Sequence, residues 1–146
     1  MNAASPTATN TTDQRETALI EGLRAALGRK LKTNPVETLL YRYDAIAQGP
    51  SPVGVVIAET TRDIAVTMRL CDAFKFQVVP RGGSSGLSGG AVPVGPCITV
   101  ATNRMTKLEI DPAQRTARVQ PGVITDSISA AAKKYGLYYA DRKSVV

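Results

Sequence analysis

The stretch that decides how this chain is read runs Val78-Val79-Pro80-Arg81-Gly82-Gly83-Ser84-Ser85-Gly86-Leu87-Ser88-Gly89-Gly90-Ala91-Val92-Pro93-Val94. A β-branched run leads into it and an apolar run leads out. Between them, glycines expose many backbone N–H groups with few Cβ atoms in the way. Successive amides of this kind can turn inward as a nest for a phosphate or pyrophosphate. Ser84, Ser85 and Ser88 add hydroxyl donors, and Arg81 is expected to add positive charge beside the loop. No Gly-Lys-Ser/Thr follows, so it is not a P-loop. Nor does it keep the Gly-x-Gly-x-x-Gly spacing of a dinucleotide fold. The competing reading is a flexible Gly/Ser linker. A linker joins two domains, whereas this segment lies within one strand–helix–strand unit, and the flanks therefore favour the phosphate loop.

Working outward, Val53–Ala58 is a short apolar run rich in β-branched residues and reads as a buried strand. Thr60 or Thr61 then caps a helix running to about Phe74, with Ile64, Thr67, Met68, Cys71 and Phe74 on its inward face. Phe76–Val79 is a second strand, which makes a parallel βαβ unit. Cys71 reads as a core residue with no redox role. Beyond the glycine loop, Cys97–Ala101, Leu108–Ile110 and Thr116–Val119 read as strands, the last two separated by the turn Asp111-Pro112. Ile124–Tyr135 is an amphipathic helix carrying Ile124, Ile128, Ala131 and Ala132, with Gly136 as its stop.

Towards the N-terminus, Gly49-Pro50-Ser51-Pro52 is a breaker cluster that divides a leader, residues 1–52, from the main domain, residues 53–140. Within the leader, Leu19, Ile20, Leu23, Ala26 and Leu27 recur at helical spacing. Asp13 with Glu16 reads as a capping pair and Gly28 as the stop. Val36–Leu40 reads as a helical turn after Asn34-Pro35, and Met1–Thr12 as a disordered lead-in.

Composition narrows the chemistry. The 146 residues include no histidine, no tryptophan and two cysteines. Histidine-based nucleophile systems, His-ligated zinc and a Cys₄ metal site are excluded from within this sequence. The 18 Lys+Arg against 12 Asp+Glu give a net charge of +6. The basic residues are scattered and aromatics make up 5%, so stacking platforms for nucleic acid are absent and no nucleic-acid partner is expected. The uncharged stretch Gly82–Asn103 is too rich in Gly, Ser and Pro to span a membrane. With no signal-like start, the expectation is a soluble, cytoplasmic protein without a transmembrane segment.

The glycine loop followed by Pro93 and Arg104-Met105 resembles the FAD-binding (PCMH-type) domain of the vanillyl-alcohol oxidase/p-cresol methylhydroxylase superfamily. The likeness extends, in that family's order, through Leu108-Glu109-Ile110-Asp111-Pro112, Val119-Gln120-Pro121-Gly122-Val123 and Gly136-Leu137-Tyr138-Tyr139-Ala140. It covers roughly Glu37 to Ala140 and points to the branch that holds the flavin-binding chain of glycolate oxidase and the D-lactate dehydrogenases. The fold so implied is α+β, with a small parallel βαβ layer and the start of an antiparallel subdomain. Its unpaired edge would leave stability marginal. The cofactor implied is FAD, its pyrophosphate held by Pro80, Arg81, Gly82, Gly83, Ser84, Ser85, Gly86, Leu87, Ser88, Gly89 and Gly90. Pro121 and Gly122 would line the flavin side of the groove. Where the family usually has Gly-Thr-Gly, this chain has Ser84-Ser85-Gly86. Arg104, Met105 and Asp111 read as turn residues. The function implied is oxidation of a small 2-hydroxy acid to the 2-oxo acid by transfer to FAD. Companion oxidase subunits, one carrying iron–sulfur clusters, are implied as partners, with peripheral attachment to the inner membrane through them. Catalytic histidines and the substrate cap would lie beyond Ala140, so no catalytic or metal residue is assigned. The alternatives are a D-lactate dehydrogenase of the same superfamily and a stand-alone nucleotide- or phosphate-binding module without catalysis.

After Ala140 the likeness stops abruptly. The family continues Pro-Asp-Pro-Ser-Ser, whereas this chain reads Asp141-Arg142-Lys143-Ser144-Val145-Val146. Those residues are what a common sequencing adapter (GAT CGG AAG AGC GTC GTG) encodes in one frame. They are expected to be a non-native tail, and a scar of this kind belongs outside fold reasoning. Long-read sequencing of the locus should show the family's continuation after the codon for Ala140. A genomic copy encoding the same tail and a stop would overturn that expectation.

Overall fold

The computed structural model describes residues 7–140, with side chains from Asp13 onward. The lead-in Met1–Pro6 and the tail Asp141–Val146 lie outside the described residues. Two sheets organise the rest. The larger has four strands in the order β1-β2-β4-β3, formed by β1 (Leu31–Lys32), β2 (Gly54–Ile57), β3 (Gln77–Arg81) and β4 (Cys97–Ala101). The smaller is the antiparallel pair β5 (Leu108–Asp111) and β6 (Thr116–Val119).

β4 occupies a central place. It pairs in parallel with β2, from Gly54 opposite Ile98 to Ile57 opposite Ala101, and with β3, from Gln77 opposite Cys97 to Arg81 opposite Ala101. All five of its residues are buried, as a continuous apolar run in a parallel sheet requires. β2 and β3 are thus parallel, as the sequence predicts, but not neighbours, because β4 inserts between them. β3 also runs two residues further than expected and takes in Pro80 and Arg81. Pro80 lacks a donor, and it is tolerated because β3 is an edge strand.

Helix α3 (Thr61–Ala73) connects β2 to β3 and begins with a complete capping box. The Asp63 amide donates to Thr60 Oγ1 (3.2 Å), while Asp63 Oδ2 accepts from the amides of Thr60 and Glu59 (each 3.0 Å). Lys30 donates to both Asp63 oxygens at 3.0 and 2.8 Å. Burial pushes the Asp63 carboxyl up, but the Lys30 ammonium and the surrounding amides outweigh it and hold the group below the ordinary carboxylate range. The inward face of α3 is Asp63, Thr67 and Cys71, with Val66 and Leu70 half-buried beside it. Met68, expected on that face, is 49% exposed. The helix turns Val66 and Leu70 towards a second helix, whose presence the local pattern could not reveal.

That second helix is α1 (Thr7–Leu27). It starts six residues before Asp13, so Asp13 is an interior residue whose carbonyl accepts from Thr17 Oγ1, and it caps nothing. Thr7–Thr12 are helical where a disordered lead-in was expected. Leu19 and Leu23 are fully buried and form one core cluster with Leu27, Leu31, Val56, Cys71 and Ile98. A 3-10 turn over Gly28–Lys30 delivers the chain to β1, antiparallel to β2. The proline cluster near Pro52 therefore marks a change in backbone chemistry, not a gap in packing. Helix α2 (Pro35–Leu39) is capped by Asn34, whose side chain accepts from the Val36 amide.

In the smaller layer, helix α4 (Thr125–Lys133) lies against β5 and buries Ile128 and Ala132. Ile124 is its N-cap and is 73% exposed, so it is not part of the inward face. Gly136 ends the helix at φ +69°, and the Leu137 amide donates back to the Ala132 carbonyl (3.1 Å). Cys71 and Cys97 are free and buried, and burial pushes the Cys71 thiol up to about 11. Both are inert core residues.

Because α1 supplies part of the main core, Leu23→Ala should destabilise the whole unit by about 2–5 kcal/mol. Urea unfolding monitored by circular dichroism checks this. A change below about 0.5 kcal/mol would show that the helix does not contribute to the core.

Candidate functional site

In parallel sheets, ligands are received outside the carboxyl ends of the strands. Here β2, β3 and β4 end together, at Ile57, Arg81 and Ala101. Three segments form the rim beyond them: the loop Gly82–Gly90, the turn Thr102–Met105, and Pro121-Gly122. The Thr102 amide donates to the Arg81 carbonyl (3.0 Å), which ties the turn to the start of the loop. The Gly122 amide donates to the Met105 carbonyl (2.9 Å), and the Gln120 amide to that of Lys107 (2.9 Å). Segments distant in sequence are thereby brought to one rim.

The glycines do two different jobs. A methyl group on Gly82, Gly83, Gly86, Gly89 or Gly90 would meet nothing within 4 Å. Their faces are open, and the loop can present its backbone to something outside the protein. A methyl group on Gly122 would collide with the Thr102 carbonyl oxygen and lie 2.8 Å from that of Met105. Glycine there is required by the fold itself.

The serines differ as well. Ser84 has φ +56°, a left-handed conformation that glycine adopts without strain. Its Oγ is buried and has no hydrogen-bond partner. Ser85, Leu87 and Ser88 are exposed, as is Pro80 at the end of β3.

Arg81 departs from expectation. Its side chain is buried against the segment Leu40–Tyr43. It donates to the carbonyls of Tyr43 (2.8 Å), Leu40 (3.2 Å) and Tyr41 (3.5 Å), and it stacks over the Tyr41 ring at 5.3 Å. Its donors are occupied by backbone carbonyls, so it is a clamp for residues 40–43 and not a free positive charge beside the loop. Arg104 pairs with Glu59 at 3.4 Å, and Met105 is buried against Ala58 and Val100, which bears out their reading as turn residues. Asp111 also behaves as a turn residue, its Oδ1 accepting from the Ala113 and Gln114 amides (each 3.0 Å).

A family profile described as "FAD binding domain" matches residues 52–145. The chain belongs to the FAD binding domain family. Among curated relatives, it is 33% identical over 131 residues to glycolate oxidase subunit GlcD of Escherichia coli (strain K12), covering 88% of this chain and 26% of that protein. It is 31% identical over 130 residues to D-2-hydroxyglutarate dehydrogenase of Xanthomonas citri pv. viticola, covering 88% of this chain and 27% of that protein. This FAD binding domain thus spans about a quarter of the relatives it matches. A crystal structure of p-cresol methylhydroxylase with substrate bound superposes with a TM-score of 0.72 at 20% identity, over 85% of this chain and 25% of that one. That likeness supports the expected fold class, a helix-and-strand domain with a parallel sheet.

The residues fit FAD. The rim offers an open run of backbone amides and an orphaned buried hydroxyl, both suited to the oxygens of a pyrophosphate. Among the described residues, no helix is long and apolar enough to cross a membrane, and no group of three or more His, Cys, Asp or Glu could hold a metal ion.

What sequence reasoning missed is the turn Leu40–Gly49, which packs beneath the loop. The one available signal was Gly49. A methyl group there would collide with the Pro93 carbonyl oxygen, but in sequence the residue reads only as part of a breaker.

The two kinds of glycine should separate by substitution. Gly122→Ala should cost about 1–3 kcal/mol through overpacking. Gly86→Ala should change stability by less than about 0.5 kcal/mol in the ligand-free protein. Thermal unfolding of the two variants checks this, and equal losses would show that the loop glycines are packed as tightly as Gly122.

Proposed function

We propose that this chain is the N-terminal FAD-binding portion of an oxidoreductase that converts a small 2-hydroxy acid, glycolate or a close analogue, to the 2-oxo acid. What carries the reading is the open glycine loop at the carboxyl ends of three parallel strands, in a chain of the FAD binding domain family. The amides of Gly82–Gly90 and the Ser84 hydroxyl would hold the pyrophosphate, with Pro121-Gly122 on the flavin side. Bound FAD supplies a two-electron acceptor. The residues of this chain bind and orient it. The substrate class rests on the two relatives, whose names both specify 2-hydroxy acids. D-lactate belongs to the same class.

The substrate site and its catalytic groups are contributed by sequence that this chain does not contain, so the 146 residues alone hold FAD weakly and turn over no hydroxy acid. Companion subunits, one with iron–sulfur clusters, are the partners we assign, since the Escherichia coli relative is named as a subunit. The compartment we assign is the cytoplasm, supported by two free thiols.

The test compares this chain with a version extended by the family's remaining sequence. The extended protein should carry stoichiometric flavin and oxidise one or more of glycolate, D-lactate and D-2-hydroxyglutarate. Within it, Gly86→Val should weaken FAD by at least about tenfold, or roughly 1.4 kcal/mol, with little change in folding. Turnover by the 146-residue chain alone, or an extended protein without flavin, would overturn the proposal.

A further inference from the structure

The glycine loop is fastened to the rest of the protein in an unusual way. A methyl group on its open glycines would meet nothing within 4 Å, and a free loop of this composition would sample many conformations. Yet its two ends are held by a single short segment, Leu40–Gly49. At the leading end, Arg81 donates to the carbonyls of Leu40, Tyr41 and Tyr43. At the trailing end, Pro93 is fully buried, and the Gly49 backbone lies so close to the Pro93 carbonyl that no side chain would fit.

The segment is itself rigid. The Gly49 amide donates to the Arg42 carbonyl (2.7 Å), Arg42 Nε donates to the Gly49 carbonyl (3.0 Å), and Tyr43 bridges Gln48. Asp44 Oδ1 accepts from the amides of Ile46 (3.0 Å) and Ala47 (2.9 Å). Those two amides, with smaller contributions from the Arg81 charge and the Gly89 amide, hold the Asp44 carboxyl below its ordinary range. Its Oδ2 is buried without a hydrogen-bond partner. Asp44 thus fastens the turn next to Tyr43, whose carbonyl Arg81 grips.

We infer that Leu40–Gly49 is the positioning scaffold of the glycine loop, with Arg81 and Asp44 as positioning residues that set the loop's shape before any ligand arrives. A loop shaped in advance loses less conformational entropy on binding, which raises affinity without adding contacts. That this shape serves FAD rests on the proposed function. That the scaffold orders the loop does not.

The experiment measures backbone order parameters by ¹⁵N relaxation on the full chain without ligand, followed by FAD titration. Three variants are compared. Arg81→Lys keeps the charge but loses the planar fork that spans the carbonyls. Asp44→Asn keeps an acceptor for Ile46 and Ala47 but removes the charge, at a partly exposed site that should fold. Leu23→Ala lowers stability far from the loop. In the wild type, the amides of Gly82–Gly90 should have order parameters above about 0.6. They should fall below that in Arg81→Lys and Asp44→Asn, with Cys97–Ala101 unchanged, and should not fall in Leu23→Ala. Where wild-type FAD binding is measurable, the first two variants should weaken it at least fivefold. If Arg81→Lys does not fold, Asp44→Asn decides alone. Unchanged loop order in Asp44→Asn, or an equal loss in Leu23→Ala, would overturn the inference. A loop that loosens as expected in these variants, while the extended protein carries no flavin, would leave the scaffold intact and count against the proposed function instead.

Discussion

β4 lies between β2 and β3 and runs parallel to both, and most of the molecule follows from that placement. Parallel neighbours cannot be joined by a tight turn, because the chain must return along the length of the sheet before it re-enters. Between β2 and β3 the return is made by α3. Between β3 and β4 there are only residues 82–96 and no helix. The glycine-rich segment is therefore not an appendage. It is the crossover itself, obliged to leave the carboxyl end of β3 and return through the buried Pro93 to the start of β4. A loop under that constraint sits where parallel sheets receive ligands.

A crossover without a helix has no internal ladder to satisfy its backbone, so order must come from outside. The buried guanidinium of Arg81 provides much of it. Five donors in a fixed fork can satisfy several carbonyls that would otherwise be buried unpaired. The carbonyls it meets belong to a turn that also touches the far end of the crossover. The positive charge next to the loop therefore has a structural role. Division of labour among the glycines follows the same logic: the faces of Gly83 and Gly86 are open, and the crowded position of Gly122 serves the packing of one turn on another.

Much of this was legible in the residues. Cys97–Ala101 and Thr116–Val119 are strands with the predicted bounds, since short apolar or β-branched runs between turn residues leave few alternatives. Thr60 and Gly136 mark helix ends as expected, because caps are local chemistry. The failures share one cause. Asp13 looked like a cap because an acidic residue precedes an apolar stripe, but α1 continues past it to Thr7. Met68 and Ile124 satisfy helical periodicity and yet face solvent. Which part of an apolar arc is buried depends on the partner helix or strand, and no local pattern names the partner. The side-chain partners of Arg81 are hidden for the same reason: its acceptors lie some forty residues earlier in the chain.

The residues alone carry the class of fold and the family, and they single out the glycine loop as the candidate site. All of these rest on local signals, namely residue type, spacing, and motifs in a fixed order. Only the tertiary structure decided that α1 belongs to the core, that β4 separates β2 from β3, and that the turn Leu40–Gly49 holds the loop. Each of these is a contact between segments distant in the chain. Their energy comes from burying apolar area and satisfying polar groups across that distance, and a linear pattern does not specify which segments will meet.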